Sequence, residues 1–161
     1  VKNLKGFARL DEQGQTPADI NECLESTLKI IWNEIKYKAD VAKDYGELPQ
    51  TLCMPMELNQ VFMNILINAA HAIEDRGEIR IKTWEDQHKI YIAISDTGCG
   101  ITEATLSKIF ELFFTTKDVG KGTGLGMSIA YDIVKNHAGE IHVDSTVGEG
   151  SIFTIELPVV V

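Results

Sequence analysis

The chain has 161 residues, three cysteines and a formal net charge of −9; at this length one domain buries roughly 70% of its unfolded surface, so neither a disulfide nor a structural metal is required. The acidic balance excludes a general nucleic-acid or anionic-membrane surface, either of which needs a basic face. Cys23, Cys53 and Cys99 lack CxxC or zinc-ligand spacing, and no apolar run approaches the ~20 residues of a membrane span, so the expectation is a soluble, reduced, cytoplasmic piece whose parent chain can still be membrane-anchored.

Residues 1–16 read as the end of a helix and a polar linker with Gly14 as a breaker, and residues 17–161 as one domain. Pro17 and a capping Asp19 precede an amphipathic helix to about Ile35, on which Ile20, Cys23, Leu24, Leu28, Ile31 and Ile35 recur at three- and four-residue steps. Short strands are expected near Lys38–Asp44 and Gln50–Met54. A long helix follows over Met56–Asp75. At ~100° per residue, Glu57, Gln60, Asn64, Asn68, His71 and Asp75 share an arc roughly 80° wide, beside an apolar stripe that includes Leu58, Phe62, Ile65 and Ala69. Glu78–Trp84 and His88–Ser95 alternate around Glu85-Asp86-Gln87 as an antiparallel hairpin. Thr102–Phe110 predicts a short helix and Leu125–His137 another, ended by Gly139. Glu140–Asp144 and Ser151–Leu157 close a second hairpin around Gly148-Glu149-Gly150.

Four stretches carry candidate chemistry. Asn64 and Asn68 lie one helical turn apart and can direct two amide oxygens at one magnesium ion, or form part of a solvated face. Asp96, after the apolar strand Ile90–Ile94, can accept the exocyclic amino proton of adenine while Gly98 and Gly100 let backbone approach a flat ligand; an ordinary Asp-Thr-Gly turn is the alternative. Gly120-Lys-Gly-Thr-Gly-Leu-Gly126 opens a helix whose free N–H groups suit phosphate, or is a flexible linker. It is neither a Walker loop nor a Rossmann fingerprint. Phe110, Phe113 and Phe114 are either core residues or part of a lid, from which Lys117 reaches a terminal phosphate. His71 lies on the polar stripe and is a further phosphate candidate. His88, His137 and His142 have ordinary turn, helix-end and strand positions.

With these blocks in order, the chain from about Asp19 to Pro158 closely resembles the catalytic, ATP-binding domain of bacterial sensor histidine kinases, in the superfamily shared with gyrase, heat-shock chaperone and MutL-type ATPases. Asn64 and Asn68 resemble its N box, Asp96 to Gly100 the first glycine box, Phe110 to Lys117 the F box and Gly122 to Gly126 the second glycine box; the Phe-Phe-Thr-Thr-Lys form is similar to the nitrogen-regulator branch. The resemblance implies an α+β, two-layer sandwich of the Bergerat type, with a mixed sheet covered on one face by three helices. It implies Mg²⁺ on Asn64 and Asn68, catalytic parts for Asn64 and Lys117, adenine fixed by Asp96, and nucleotide contacts from His71, Gly98, Gly100, Ile101, Phe110, Thr116, Lys117, Gly122, Thr123, Gly124, Leu125, Gly126 and Ser151, the last where relatives carry a threonine.

Two departures stand out. Hydrolytic members place a glutamate at the position of Asn64, and asparagine cannot take a proton from water, so transfer to a protein acceptor is expected over hydrolysis. His71 stands where many relatives have a lysine. The resemblance implies that Val1–Leu10 is the last part of a dimerisation and phosphoacceptor hairpin, otherwise absent from this sequence. The expected partners are that hairpin and a response-regulator receiver domain, without nucleic acid, and the domain alone is expected to be a monomer. The competing functions are an ATP-gated dimerisation or docking module and an anti-sigma-type serine kinase of the same superfamily.

Overall fold

Alternation along the strands decides which side of the sheet is covered. The computed structural model describes residues 15–111 and 126–161. In chain order these form β1 (Thr16–Ala18), α1 (Ile20–Ile35), β2 (Ala39–Tyr45), β3 (Thr51–Cys53), α2 (Pro55–Ala72), β4 (Gly77–Asp86), β5 (Lys89–Asp96), α3 (Glu103–Leu106), α4 (Gly126–Asn136), β6 (Glu140–Thr146) and β7 (Gly150–Pro158). Five strands make one mixed sheet in the order β2-β4-β5-β7-β6, parallel only between β2 and β4. β1 and β3 form a separate antiparallel pair.

Register places Ile81 opposite Ile94, Ile94 opposite Phe153, Ile92 opposite Ile155 and Ile155 opposite Ile141, all on the face that receives the helices. Ile20, Leu24 and Ile35 of α1, Leu58, Phe62, Ile65 and Leu66 of α2, and Ala130 and Val134 of α4 close over that row. Full burial of each large aliphatic side chain contributes about 1.5–3 kcal/mol, so the two-layer arrangement rests chiefly on this contact. α2 lies between α1 and α4 and is the middle of the helical layer. The opposite face carries Trp84 stacked on Tyr91, with Lys82 against the Trp84 ring.

Local chemistry sets the element ends. Asp19 caps α1 by accepting the Asn21 N–H at 2.9 Å. α2 starts with Pro55 at its first turn and no side-chain cap, but the Met54 N–H donates to His137 Nε2 at 3.1 Å. His137 Nδ1 lies 2.8 Å from the Ile133 carbonyl, so one neutral ring joins the end of α4 to the start of α2.

The structure departs from the sequence reading in five places. Thr16–Ala18 is a strand, because Pro17 at the edge of a two-stranded sheet need not donate to a ladder. α2 stops at Ala72 with Ile73 in extended conformation, which removes Asp75 from the helical stripe. The β4–β5 turn is centred on Gln87 and His88, both with positive φ, rather than on Glu85–Gln87. The helix expected over Thr102–Phe110 is α-helical only over Glu103–Leu106 and continues as turns. Finally, the left-handed residue after α4 is Ala138, not Gly139: Ala138 and Gly139 return their N–H groups to Lys135 and Val134, each at 2.9 Å.

Candidate functional site

The C-terminal end of α2 and the loop after β5 are built as one unit. A helix leaves its last carbonyls without internal partners. Here the Cys99 N–H supplies one, donating to the Ala72 carbonyl at 2.9 Å. The approach is so close that a Cβ on Gly98 would lie 2.7 Å from Ala72 backbone and side-chain atoms. Gly100 has φ +78° and faces the Thr146 backbone, where a Cβ has no room. Both glycines, expected from sequence to make way for a ligand, are already required by the protein's own packing.

Further bonds fix the same loop from other sides. The Thr97 N–H donates to Glu78 O at 3.1 Å, and Thr97 Oγ1 accepts the Glu78 N–H at 3.0 Å. The Gly148 N–H reaches Cys99 O at 2.8 Å, and the Ile101 N–H reaches Ser145 Oγ at 2.7 Å. Asp96 therefore ends β5 in a fixed position. It is 8% exposed, its Oδ1 accepts the Gly98 N–H at 2.8 Å, and the Ser151 backbone also hydrogen-bonds to it. Burial pushes its carboxyl above the ordinary aspartate range; the two backbone donors pull it back in part. Ser151, 4% exposed, is its cross-strand partner.

Asn64 and Asn68 occupy half-buried positions on α2, about two turns and one turn before Ala72 respectively. Asn64 Nδ2 donates to the Gly126 carbonyl at 3.0 Å, which ties the middle of α2 to the first turn of α4 and turns the amide oxygen away from that contact. Among the described residues, a Cβ on Gly126 would meet the Asn64 side chain at ordinary contact distance. His71 is exposed on the last turn of α2. Phe110 packs its ring on Tyr131 of α4, with centroids 5.2 Å apart.

The donor set tests whether magnesium suits this place. Among the described residues no three His, Cys, Asp or Glu side chains cluster as a metal site. Two neutral carboxamides hold a bare hard cation weakly but fit Mg²⁺ that brings phosphate and water oxygens with it. The residues fit a magnesium nucleotide better than a free ion.

The structure thus brings together Asp96, Gly98, Gly100, Ile101 and Ser151 at one end, and Asn64 with Gly126 at the other, joined through α2. Phe113, Phe114, Thr116, Lys117, Gly122, Thr123, Gly124 and Leu125 lie outside the described residues, as does Val1–Leu10. Two contributors escaped the sequence reading. Ser145 continues the Ile141–Val143 row of β6, and a serine on that inward row was the available signal. The His137 link has no local signature, because its partner lies 83 residues away. Among the described residues no helix is long and apolar enough to cross a membrane.

Comparison with known proteins agrees with this geometry. Residues 54–161 match the family described as histidine kinase-, DNA gyrase B- and HSP90-like ATPase. The chain is 36% identical over 162 residues to signal transduction histidine-protein kinase AtoS of Escherichia coli (strain K12), covering 99% of this chain and 26% of that protein. It is 44% identical over 115 residues to sporulation kinase E of Bacillus subtilis (strain 168), covering 70% of this chain and 15% of that one. The catalytic domain of histidine kinase ThkA, in a nucleotide-free form, superposes with a TM-score of 0.81 at 28% identity, covering 91% of this chain and 96% of that domain. The chain spans about a quarter or less of the length of these curated relatives.

Proposed function

This chain belongs to the histidine kinase-, DNA gyrase B- and HSP90-like ATPase family, and from that membership we propose that it is the ATP-binding catalytic domain of a two-component sensor histidine kinase. In this reading it presents the γ-phosphate of Mg·ATP to a histidine on a helical hairpin of its parent protein. A response-regulator receiver domain then takes the phosphoryl group. The work is done in the cytoplasm, where ATP is available.

One observation carries the reading: the Asp96 loop caps the helix that bears Asn64 and Asn68. A base acceptor and two amide oxygens are thereby held on one rigid unit, as positioning for phosphoryl transfer demands. Asp96 would accept the adenine amino proton, and Ser151 would stand beside it. Asn64 and Asn68 would hold Mg²⁺, which when bound neutralises charge on the terminal phosphates. Lys117, Thr116, the glycines from Gly122 to Gly126, Thr123, Leu125 and His71 are the proposed phosphate side. Asn64 has no basic atom for water activation, which favours transfer to a protein acceptor over hydrolysis.

The test mixes this domain with the parent protein's separately prepared hairpin and γ-labelled ATP. Acid-labile label on the hairpin is the expected result; none, with nucleotide binding intact, sinks the proposal. Acid-stable label would instead indicate a serine kinase. Nucleotide-dependent association without any transfer would indicate an ATP-gated docking module.

A further inference from the structure

Beside Asp96, several polar groups meet at one oxygen. Ser145 Oγ lies 2.7 Å from the Ile101 nitrogen, 3.0 Å from the Gly150 carbonyl oxygen and 2.8 Å from Ser151 Oγ. The Ile101 N–H can only donate and the Gly150 carbonyl can only accept, whereas a serine hydroxyl has one proton and two lone pairs. If the Ser145 proton goes to Gly150, the two lone pairs receive the Ile101 N–H and the Ser151 O–H, and every group is matched. If it goes to Ser151, the Gly150 contact is lost. The Ser151 proton, on a side chain only 4% exposed, then needs another acceptor. The first arrangement makes one more hydrogen bond and wins.

Its consequence falls on the neighbouring carboxylate. Ser151 is the cross-strand partner of Asp96, and its backbone hydrogen-bonds to the Asp96 carboxylate. With its hydroxyl proton committed to Ser145, Ser151 offers only lone pairs at this end of the sheet. We infer that Ser145 is a specificity-determining positioning residue: it fixes Ser151 as an acceptor, so that Ser151 and Asp96 together accept a 6-amino purine and repel a 6-oxo purine. This rests on the reading of the Asp96 end as the base site. Asp96 alone can already prefer an amino group; Ser145 removes a hydroxyl proton that could rescue an oxo group.

The experiment compares Mg·ATP with Mg·ITP by calorimetric titration, because the two share ribose and triphosphate and differ only in the 6-substituent and the proton that the 6-oxo form carries on N1. Native protein should favour ATP. In Ser145→Ala the Ser151 proton is released and can serve the 6-oxo group, so the ATP-to-ITP affinity ratio should fall about tenfold. Ser145→Thr keeps a hydroxyl and should keep the ratio. In a Ser151→Ala background the Ser145→Ala change should leave the ratio unmoved, since no hydroxyl remains to be redirected. General loosening of the fold weakens both nucleotides alike and cancels in the ratio. An unchanged ratio in Ser145→Ala, or the same fall in the Ser151→Ala background, overturns the inference while leaving the base site standing. Native protein that binds neither nucleotide overturns the base-site reading, and this inference with it.

Discussion

The proposed base end of the site is fastened by hydrogen bonds of backbone groups that belong to the fold, whereas the described part of the proposed phosphate end depends on side-chain carboxamides. Around Asp96 the loop is held by Ala72, Glu78, Ser145 and Gly148, from a helix, two strands and a hairpin turn. At the other end Asn64 bonds, among the described residues, to Gly126. A group fixed by many partners is preorganised, and its cost is met during folding rather than binding. Two neutral amides form a cation site only when phosphate oxygens complete it. The comparison teaches that recognition of the base should precede, and be separable from, recognition of the metal and phosphates.

The largest expected effect breaks the base end. Asp96→Asn keeps an oxygen for the Gly98 N–H but presents either an amide donor or a weaker acceptor to the ligand, so ATP affinity should fall about 100-fold, or ~2.7 kcal/mol, in a titration. Stability should move the other way. Burial raises the folded pKa of Asp96 above its unfolded value, so the ionised form is penalised by folding at neutral pH. That penalty fades as pH falls through the raised pKa and is gone below the ordinary aspartate value. Asp96→Asn should thus unfold at equal or higher denaturant than native protein at pH 7, with the gap closing in acid. Native ATP affinity should decline over that same acid window. A variant that is both less stable and fully competent for ATP would refute the assignment.

A smaller effect sharpens the contrast. Asn68→Ala removes an amide oxygen from the proposed cation site but leaves the Ala72–Cys99 cap in place, so it should weaken Mg·ATP by about tenfold and leave magnesium-free ADP nearly unchanged. Mg²⁺ titrated alone should give no measurable heat with either protein. Equal losses with and without metal would show that the two ends are not separable.

Long periodic elements were legible because one-dimensional spacing maps directly onto a buried face: α1, α2 and the Ile90–Ile94 strand follow from apolar steps alone. Asn64, Asn68 and Asp96 stand out as a candidate set through their order and the resemblance, since each alone admits a solvated or turn reading. What sequence could not supply was contact across the fold. The packing demand on Gly98 was not visible, because the atoms that forbid its Cβ belong to Ala72, on another element. The end of α2 was placed three residues late, since polar Asp75 continues the stripe while Ile73 is drawn out into extended conformation and buried in the core. Ser145 needed the β6–β7 register before its neighbours could be named.

The smallest effect lies outside both ends and serves as their control. Ala138 adopts φ 60° after α4, with its N–H on Lys135 O and the Gly139 N–H on Val134 O, the paired bonds that close a helix C-terminus. That position favours glycine, because a Cβ in the left-handed region crowds the carbonyl that follows. Gly139, next in the chain, has no such freedom to give: a Cβ there would strike the Glu156 carbonyl and press on Leu157 and Val134. Ala138→Gly should therefore stabilise the protein by about 1 kcal/mol in denaturant unfolding, with the gain in strain relief partly offset by the greater unfolded entropy of glycine. ATP affinity should stay at the native value, because Asn64, Asp96 and the α2 cap are untouched. A loss of ATP affinity would mean that the end of α4, held to the start of α2 through His137, sets the geometry of the carboxamides after all, and the two ends of the site would have to be treated as one.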